Sequence, residues 1–336
     1  MHRPGLAFAS MSQNNNTSTI YAGIDVAKAT LQLSLGAASH RLANDSKGHA
    51  RSLKLLAAAQ AAHPDRTLHV ILEATGGYEA ALVQALHGAG RTVSVIPPAR
   101  ARHFASAKCE HAKTDPIDAQ ILAAFGQALQ PAPTPPASAA QTHLAELVGR
   151  RAQLVDTRTA ELNRAEHDTD KLLCRQSRAL LALLARQVTA CDQAIAAQLA
   201  AEPEMKARAA RVQQVPGIGP VVAAVLQAQM PELGTLSEGA AAALAGLAPY
   251  NRDSGPWQGT RHLRGGRAPV RGALYMAALS SVRYDPILRA CYTRLCQAGK
   301  KPLVALTAAM RKLIVLLNHM LKKPAFKLRT PINPKP

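Results

Sequence analysis

Four acidic residues in the N-terminal third have types and spacings that suit a metal site. Asp25 follows Gly23 in AGIDVAK, at the end of an alternating apolar stretch, and Glu73 ends the apolar stretch HVILE. Asp115 and Asp118 lie three residues apart in KTDPIDAQIL, which places both side chains on one face of a helix. Carboxylates gathered at one sheet edge would repel one another unless cations bind them. The four residues therefore predict a site for Mg²⁺ or Mn²⁺, where two ions could polarise a phosphodiester.

Each of these acidic residues also has an ordinary structural explanation. Asp25 could form a turn at the end of a strand, Asp115 could cap a helix, and Glu73 could pair with a lysine. All of these explanations would have to hold at once in a chain with 40 lysines and arginines and only 21 acidic residues. The combination therefore favours the metal site.

A second candidate centre lies in NRDSGPWQGTRHLRGGRAPVRG, residues 251–272. Ser254 lies there among arginines, whose guanidinium groups bind phosphate bidentately, and glycines, which permit close backbone approach. A serine hydroxyl in such surroundings could attack a phosphodiester, and no nearby spacing suggests an acyl-transfer triad. A serine that only binds phosphate or forms a turn is the alternative. The candidate phosphate-binding arginines are Arg252, Arg261, Arg264, Arg267 and Arg271.

The segment VPGIGPVVAAVL, residues 215–226, resembles a helix-hairpin-helix. Gly217 and Gly219 would let backbone N–H groups approach a phosphate, and the N-terminus of the next helix would add a favourable dipole. Such a motif binds the nucleic-acid backbone without reading sequence. An ordinary glycine turn between two helices is the alternative.

The charge of the chain is concentrated at its C-terminal end. Of the net charge of +19, residues 251–336 carry +15, from 17 basic and 2 acidic residues. This balance predicts a polyanionic partner, and nucleic acid is the commonest. No apolar run reaches the ~18 residues of a membrane span, and the N-terminus lacks a signal pattern. We therefore expect a cytosolic protein without membrane contact, whose five scattered cysteines are reduced thiols.

The hydrophobic pattern predicts the elements that position these residues. Strands alternate with helices in the N-terminal part, which predicts an α/β domain. Long helices that could pair as a coiled coil follow a proline-rich linker, and a mainly helical domain carries the hairpin motif. Residues 251–272 are too rich in glycine, arginine and proline for regular structure. The predicted boundaries are a disordered tail at 1–18, the α/β domain at 19–129, the linker at 130–141, the long helices at 142–205, the helical domain at 206–325 and a tail at 326–336.

Three of these segments, GIDVAKATLQLSL, ILEATGGY and KTDPIDAQILA, resemble the RuvC-like domain of DEDD insertion-sequence transposases. That family comprises bridge-RNA-guided recombinases and includes the pilin-gene invertase. The resemblance implies a ribonuclease-H-like sheet in which Asp25, Glu73, Asp115 and Asp118 bind Mg²⁺. It covers nearly the whole chain, about residues 19–325. The segment APYNRDSG is similar to the family's second, transposase domain, and Ser254 matches the serine that attacks DNA there.

The resemblance implies a mobile-element recombinase that cuts and exchanges DNA strands through a phosphoserine intermediate. It also implies donor and target DNA, a structured guide RNA and a homo-oligomer, from dimer to tetramer, in the bacterial cytosol near the nucleoid. Two other functions are kept open. One is a RuvC-like metal-dependent endonuclease or junction resolvase with water as the nucleophile, and the other is a non-catalytic nucleic-acid-binding protein.

Overall fold

The computed structural model describes residues 19–108, 115–250, 259 and 261–328. The chain divides into two units, Met1–Pro136 and Ala137–Pro336. The division falls inside the predicted linker, where prolines prevent a helix from continuing.

The first unit is built on a five-stranded sheet. Its elements are β1 (Thr19–Val26), β2 (Thr30–Leu35), β3 (Ala38–Ala43), α1 (Ser46–Ala61), β4 (Thr67–Glu73), α2 (Ala80–Gly88), β5 (Thr92–Ile96), α3 (Pro98–Ala107) and α4 (Asp115–Leu129). The strand order is β3-β2-β1-β4-β5. The first three strands pair antiparallel, whereas β4 pairs parallel with both β1 and β5. This mixed sheet confirms the predicted α/β class and is consistent with a ribonuclease-H-like domain.

The two faces of the sheet bury different helices. Successive side chains of a strand point to opposite faces. On one face, Ile24 of β1 and Val70 of β4 lie in a core with Leu56 of α1 and Leu82 of α2. The odd-numbered residues of β1 and β4 therefore belong to the opposite face.

That opposite face packs against α4. Ile71 of β4 and Ile96 of β5 form a smaller core with Leu122 and Phe125 of α4. Phe104 of α3 joins it through an edge-to-face contact with Phe125, with ring centroids 5.4 Å apart. Helix α3 was not predicted from the sequence, and its role is to cover the end of this core.

The proline-rich linker lies along the open edge of β5. The backbone N–H of Thr134 donates to the carbonyl of Val93 at 2.7 Å, and the N–H of Val95 donates to the Thr134 hydroxyl at 3.0 Å. Unpaired groups on an edge strand invite pairing with other chains. The linker thus satisfies part of this edge as well as joining the two units.

The buried His69 contacts the Ser94 hydroxyl, which in turn binds the linker. The Ser94 hydroxyl donates to the carbonyl of Ala132 at 2.8 Å, and Nε2 of His69 lies 2.8 Å from the same hydroxyl oxygen. Because that hydroxyl already donates to a carbonyl, the imidazole is the donor to it. Burial lowers the pKa of His69, since the charged form loses its hydration there.

The second unit is mainly helical. Its elements are α5 (Ala139–Ala165), α6 (Lys171–Ala201), α7 (Pro203–Val212), α8 (Pro220–Gln229), α9 (Glu238–Leu244), β6 (Pro249–Tyr250), β7 (His262–Leu263), α10 (Ala268–Tyr284), α11 (Pro286–Gln297) and α12 (Pro302–Lys322). The long helices α5 and α6 form an antiparallel hairpin, across which Arg151 and Asp192 pair at 2.5 Å. Asp170 caps α6 by accepting from the N–H groups of Leu172 and Leu173.

One core joins the base of this hairpin to the C-terminal helices. It contains Leu144 of α5, Ile195 of α6, Leu226 of α8, Leu274 of α10 and Leu313 of α12. The long helices and the helical domain therefore share a hydrophobic core. The boundary predicted between them, near residue 205, stays a prediction.

Two segments of the second unit are more regular than the sequence pattern suggests. Helix α10 begins at Ala268, inside the stretch expected to be irregular, because Pro269 lies in its first turn, where a missing N–H costs little. The start of the predicted C-terminal tail is also packed. Phe326 contacts His319 edge to face, with ring centroids 4.9 Å apart, and its carbonyl accepts from Arg211.

Helix α12 is long and apolar enough, by length and composition alone, to cross a membrane. Half of its most apolar window is buried inside the second unit, where Leu313, Ile314 and Leu317 are fully buried. The core helix of a helical domain meets the same test, and the packing of α12 is of that kind.

Candidate active site

Asp25 and Glu73 lie side by side at the carboxyl ends of two parallel strands. In the pairing of β1 with β4, Ile24 lies opposite Leu72, so the next residues along the two strands are Asp25 and Glu73. Paired positions on neighbouring strands point to the same face and lie about 5 Å apart. The register of the sheet therefore brings these two carboxylates together on the face that α4 covers.

Close packing fixes the position of α4 over that face. A Cβ atom added to Gly23 would clash with the carbonyl of Ala119 and would lie 2.6 Å from the backbone nitrogen of Ala123. A Cβ added to Gly126 would lie 2.5 Å from the ring of Tyr21. Glycines on the strand and on the helix thus let the two backbones approach closely. Gly126 was missed in the sequence, although a glycine inside a helix is a signal of close packing.

These contacts also set the direction of α4. Gly126 lies over Tyr21, whereas Ala119 and Ala123 lie over Gly23, so α4 runs opposite to β1. Each element advances by a constant rise per residue, so the residues before Ala119 lie over the part of β1 that follows Gly23. The first turn of α4 therefore lies towards Asp25. That turn carries Asp115 and Asp118.

The four predicted acidic residues therefore belong to the same end of the first unit. Asp25, Glu73 and Asp118 are half-buried, and Asp115 is exposed. Within the ranges that the structure describes, no three histidine, cysteine, aspartate or glutamate side chains lie close enough together to hold a metal ion. The structure thus places the carboxylates at one end without closing them into a cage, and their metal-binding role stays a prediction.

In the hairpin motif, Gly217 has a packing role. Its φ is +96°, a conformation that favours glycine, and an added Cβ would lie 2.7 Å from the carbonyl of Ala277 in α10. The buried Ser281 hydroxyl donates to the carbonyls of Pro216 and Ala277, at 2.6 and 2.8 Å. Gly219, by contrast, precedes α8 and has open space around it. Of the two glycines, Gly219 is thus the more accessible to a phosphate.

Two of the five candidate arginines make contacts within the second unit. Arg267 pairs with Glu232 at 2.6 Å and donates to the carbonyl of Gln229 at 2.7 Å. Arg271 donates to the carbonyl of Gly265 at 2.9 Å. These contacts hold the loop before α10 against neighbouring segments, a role that the sequence did not indicate.

The glycines of the same loop serve close backbone packing. A Cβ added to Gly266 would clash with the backbone of Gly246, and the N–H of Arg267 donates to the carbonyl of Leu244 at 2.7 Å. The loop therefore rests on the end of α9. This packing alone requires a glycine at position 266. The approach of a phosphate, which the sequence suggested, is not needed to account for it.

Arg261 and Arg264 differ from these two arginines because both are exposed. They flank the short pairing of β6 with β7, in which Tyr250 lies opposite His262. Ser254 and Arg252 lie outside the described residues. The proposed nucleophile and its immediate surroundings thus stay sequence predictions, whereas two exposed cationic side chains are placed in the segment that follows them.

Two family models match different parts of the chain. Residues 22–168 match the model of DEDD transposases of the IS110 group, described as a transposase, and residues 209–293 match the model described as the transposase IS116/IS110/IS902 family. The pilin gene-inverting protein of Moraxella bovis is 29% identical over 317 residues, which cover 89% of this chain and 94% of that protein. Its counterpart in Moraxella lacunata is 29% identical over 319 residues, with the same coverage.

The protein is therefore a transposase, an enzyme that acts on DNA. It belongs to the IS110 family of insertion-sequence transposases. The first match runs from the sheet through the proline-rich linker and α5, whereas the second lies wholly within the second unit. The matches thus support DNA recombination and transposition as the activities of this chain.

Proposed function

We propose that this transposase cuts and rejoins DNA through a covalent phosphoserine at Ser254, assisted by a metal site formed by Asp25, Glu73, Asp115 and Asp118. The observation that carries the proposal is the parallel register of β1 with β4, which makes Asp25 and Glu73 neighbours. The first turn of α4 lies at the same end of the sheet. A transposase needs a site for phosphodiester chemistry, and this end concentrates the acidic groups suited to it.

The donor set fits Mg²⁺ or Mn²⁺ in its chemistry. All four candidates are carboxylates, the hard oxygen ligands that these ions prefer, and three of them are half-buried. Ion binding would draw these side chains closer than they lie in the structure. When bound, the ions would stabilise the negative charge that develops on the scissile phosphate.

The chain's own residues would perform the strand transfer. The Ser254 hydroxyl oxygen attacks the phosphorus, forming a P–O bond while the bond to the 3′-oxygen breaks. The serine loses a proton and the released strand end gains one, giving a 3′-hydroxyl. Attack by a 3′-hydroxyl on the phosphoserine later reverses these bond changes, so the exchange needs no external energy source. Arg261 and Arg264 would hold the phosphate oxygens, because both are exposed cations near Ser254 in sequence.

We also propose that a structured guide RNA and a homo-oligomer take part. The family resemblance motivates both, and the +15 charge of residues 251–336 supplies the electrostatic attraction that a second polyanion would need. The long α5–α6 hairpin carries exposed Leu162, Leu172 and Leu173 near its tip, which supports contact with a further subunit.

The proposal is tested by strand cleavage with Mg²⁺ in a panel of isosteric variants. Asp25→Asn, Glu73→Gln and Asp118→Asn should each slow cleavage by more than about a thousandfold, because several kcal/mol of charge stabilisation is lost. DNA binding should change little. Asp65→Asn is the matched control, since Asp65 is an exposed carboxylate that precedes β4 rather than following it. Normal cleavage by all three variants would exclude the acidic site.

A further inference from the structure

Three loops at the acidic end of the first unit are tied together by one side chain. The Asn44 amide nitrogen donates to the carbonyl of Ala27, two residues after Asp25, at 2.9 Å. It also donates to the carbonyl of Tyr78, in the loop after Glu73, at 3.2 Å. Asn44 therefore links the turns that follow both strand-end carboxylates.

Asn44 is itself held in place by α1. Its amide oxygen lies 2.8 Å from Nε2 of His49. An amide oxygen can only accept, so the imidazole is the donor. Burial lowers the pKa of His49, and the charge of Asp45 partly opposes this shift. The orientation of Asn44, with its nitrogen towards the two loops, follows from this contact.

The loop after β4 has a second fastening. The Glu79 carboxylate accepts from the backbone N–H groups of Thr75 and Gly77, at 3.1 and 2.9 Å, and from the Thr75 hydroxyl at 3.1 Å. Gly76 and Gly77 have φ values of +72° and +104°, which a glycine adopts readily. The positive φ angles of the two glycines and the hydrogen bonds to Glu79 together hold the backbone of residues 75–79 in this conformation.

This fixed loop presents an exposed aromatic ring. Tyr78 is 48% exposed, whereas Tyr21, Phe104 and Phe125, the other aromatic rings described in the first unit, pack against the core under α4. A ring on a rigid backbone offers contact area at low entropic cost, and every nucleic-acid base has a face that can stack on it. Gly76 and Gly77, with open space around them, leave room beside the ring.

We propose that Tyr78 is a base-stacking residue, which holds an unpaired nucleotide of the nucleic-acid strand whose phosphate reaches Asp25 and Glu73. The inference rests on the proposed function, because it takes the acidic end as the place of strand cleavage. The ring would keep the base from re-pairing, while Asn44 and Glu79 hold the loop that carries it. The ligand chemistry is a single-stranded segment with an unstacked base, from DNA or from RNA.

The test uses the full chain and single-stranded DNA and RNA oligonucleotides with 2-aminopurine at successive positions. Wild-type protein and Tyr78→Phe should quench the fluorescence at one position, because the base stacks on the ring. Tyr78→Leu keeps an apolar side chain but no ring, and should lose the quenching and bind about tenfold more weakly. Comparing the DNA and RNA series identifies the source of the strand.

Separate controls test whether Tyr78→Leu still folds and whether the acidic site cleaves the strand. The backbone contact from Asn44 to Tyr78 does not involve the ring, so Tyr78→Leu should keep the thermal midpoint of the wild type. Asp118→Asn, assayed in parallel, tests the acidic site alone: it should retain quenching but not cleave. Suppose that Asp118→Asn retains quenching without cleavage, whereas Tyr78→Leu quenches and binds like Tyr78→Phe. The stacking inference is then overturned and the proposed function stands. A change in sedimentation of Tyr78→Leu without a change in affinity would also overturn it, and would assign the ring to a protein contact.

Discussion

The two units of this transposase place their candidate residues by different physical means. In the first unit, strand register and two glycine contacts fix which end of the sheet carries the acidic residues. In the second, Arg267 and Arg271 lie at the start of α10 and are bound to neighbouring carboxylate or carbonyl groups. A regular sheet positions side chains through its periodicity, whereas a loop requires side-chain contacts to hold its own backbone. Residue type and strand position alone therefore predict the placement of side chains better in the first unit than in the second.

Gly23→Ala, in the first unit, should have the largest effect on stability and on strand cleavage. The new methyl group would clash with the backbone of Ala119 and lie 2.6 Å from the backbone nitrogen of Ala123, so α4 would have to move. We expect a loss of about 3 kcal/mol in stability of the first unit and a loss of strand cleavage, because α4 carries two of the acidic residues. Hydrogen exchange of the α4 amides measures the first, and a cleavage assay the second.

Gly149→Ala is the matched control for that substitution. Gly149 lies inside α5 with open space around it, so alanine should stabilise the helix by up to about 1 kcal/mol and leave cleavage unchanged. Faster exchange in α4 is expected for Gly23→Ala alone. Equal exchange in the two variants would contradict the close approach of α4 to β1.

The second prediction separates phosphate-binding from structural arginines. Replacing Arg261 and Arg264 by alanine should weaken DNA binding and reduce the slope of log affinity against log salt by about two, because each phosphate contact contributes about one. Arg267→Ala should leave that slope nearly unchanged and lower stability by about 1 kcal/mol, since its half-exposed ion pair and carbonyl contact are lost. Equal slopes for the two variants would remove the distinction.

Apart from α3, the order of elements in the first unit was predictable, because short apolar strand patterns and segments with helical spacing follow one another along the chain. The neighbouring positions of Asp25 and Glu73 were predictable from the same patterns, because Asp25 is the last residue but one of β1 and Glu73 is the last residue of β4. Helix α3 was missed, because PARARHFASA has little apolar periodicity and its burial depends on Phe104 meeting α4. The structural roles of Arg267 and Gly217 could not be predicted, since Glu232 and Ala277 are distant in sequence and become partners only in the fold.

The smallest expected effect concerns pH and the linker. The folded-state pKa of His69 is lowered by burial, so the unfolded chain binds a proton more readily than the folded one. The contribution of neutral His69 to stability is present above the unfolded pKa of about 6.5 and is lost as pH falls through the folded pKa. Below about pH 6.5, β5 and the linker should therefore exchange hydrogen faster, relative to their rates near neutral pH, than in His69→Gln. An identical pH dependence in the variant would mean that another group is responsible.

The central claim is that Ser254 forms the covalent link to DNA, and it can be tested by mapping the adduct. The protein is incubated with DNA and Mg²⁺, denatured, digested with nuclease and protease, and analysed by mass spectrometry. The account predicts a nucleotide on Ser254 that is absent in Ser254→Ala and present in Ser280→Ala, whose serine lies in α10. Ser281→Ala is a poorer control, because its hydroxyl holds the hairpin motif against α10. Normal cleavage by Ser254→Ala, with no adduct in the wild type, would contradict the account and make water the nucleophile.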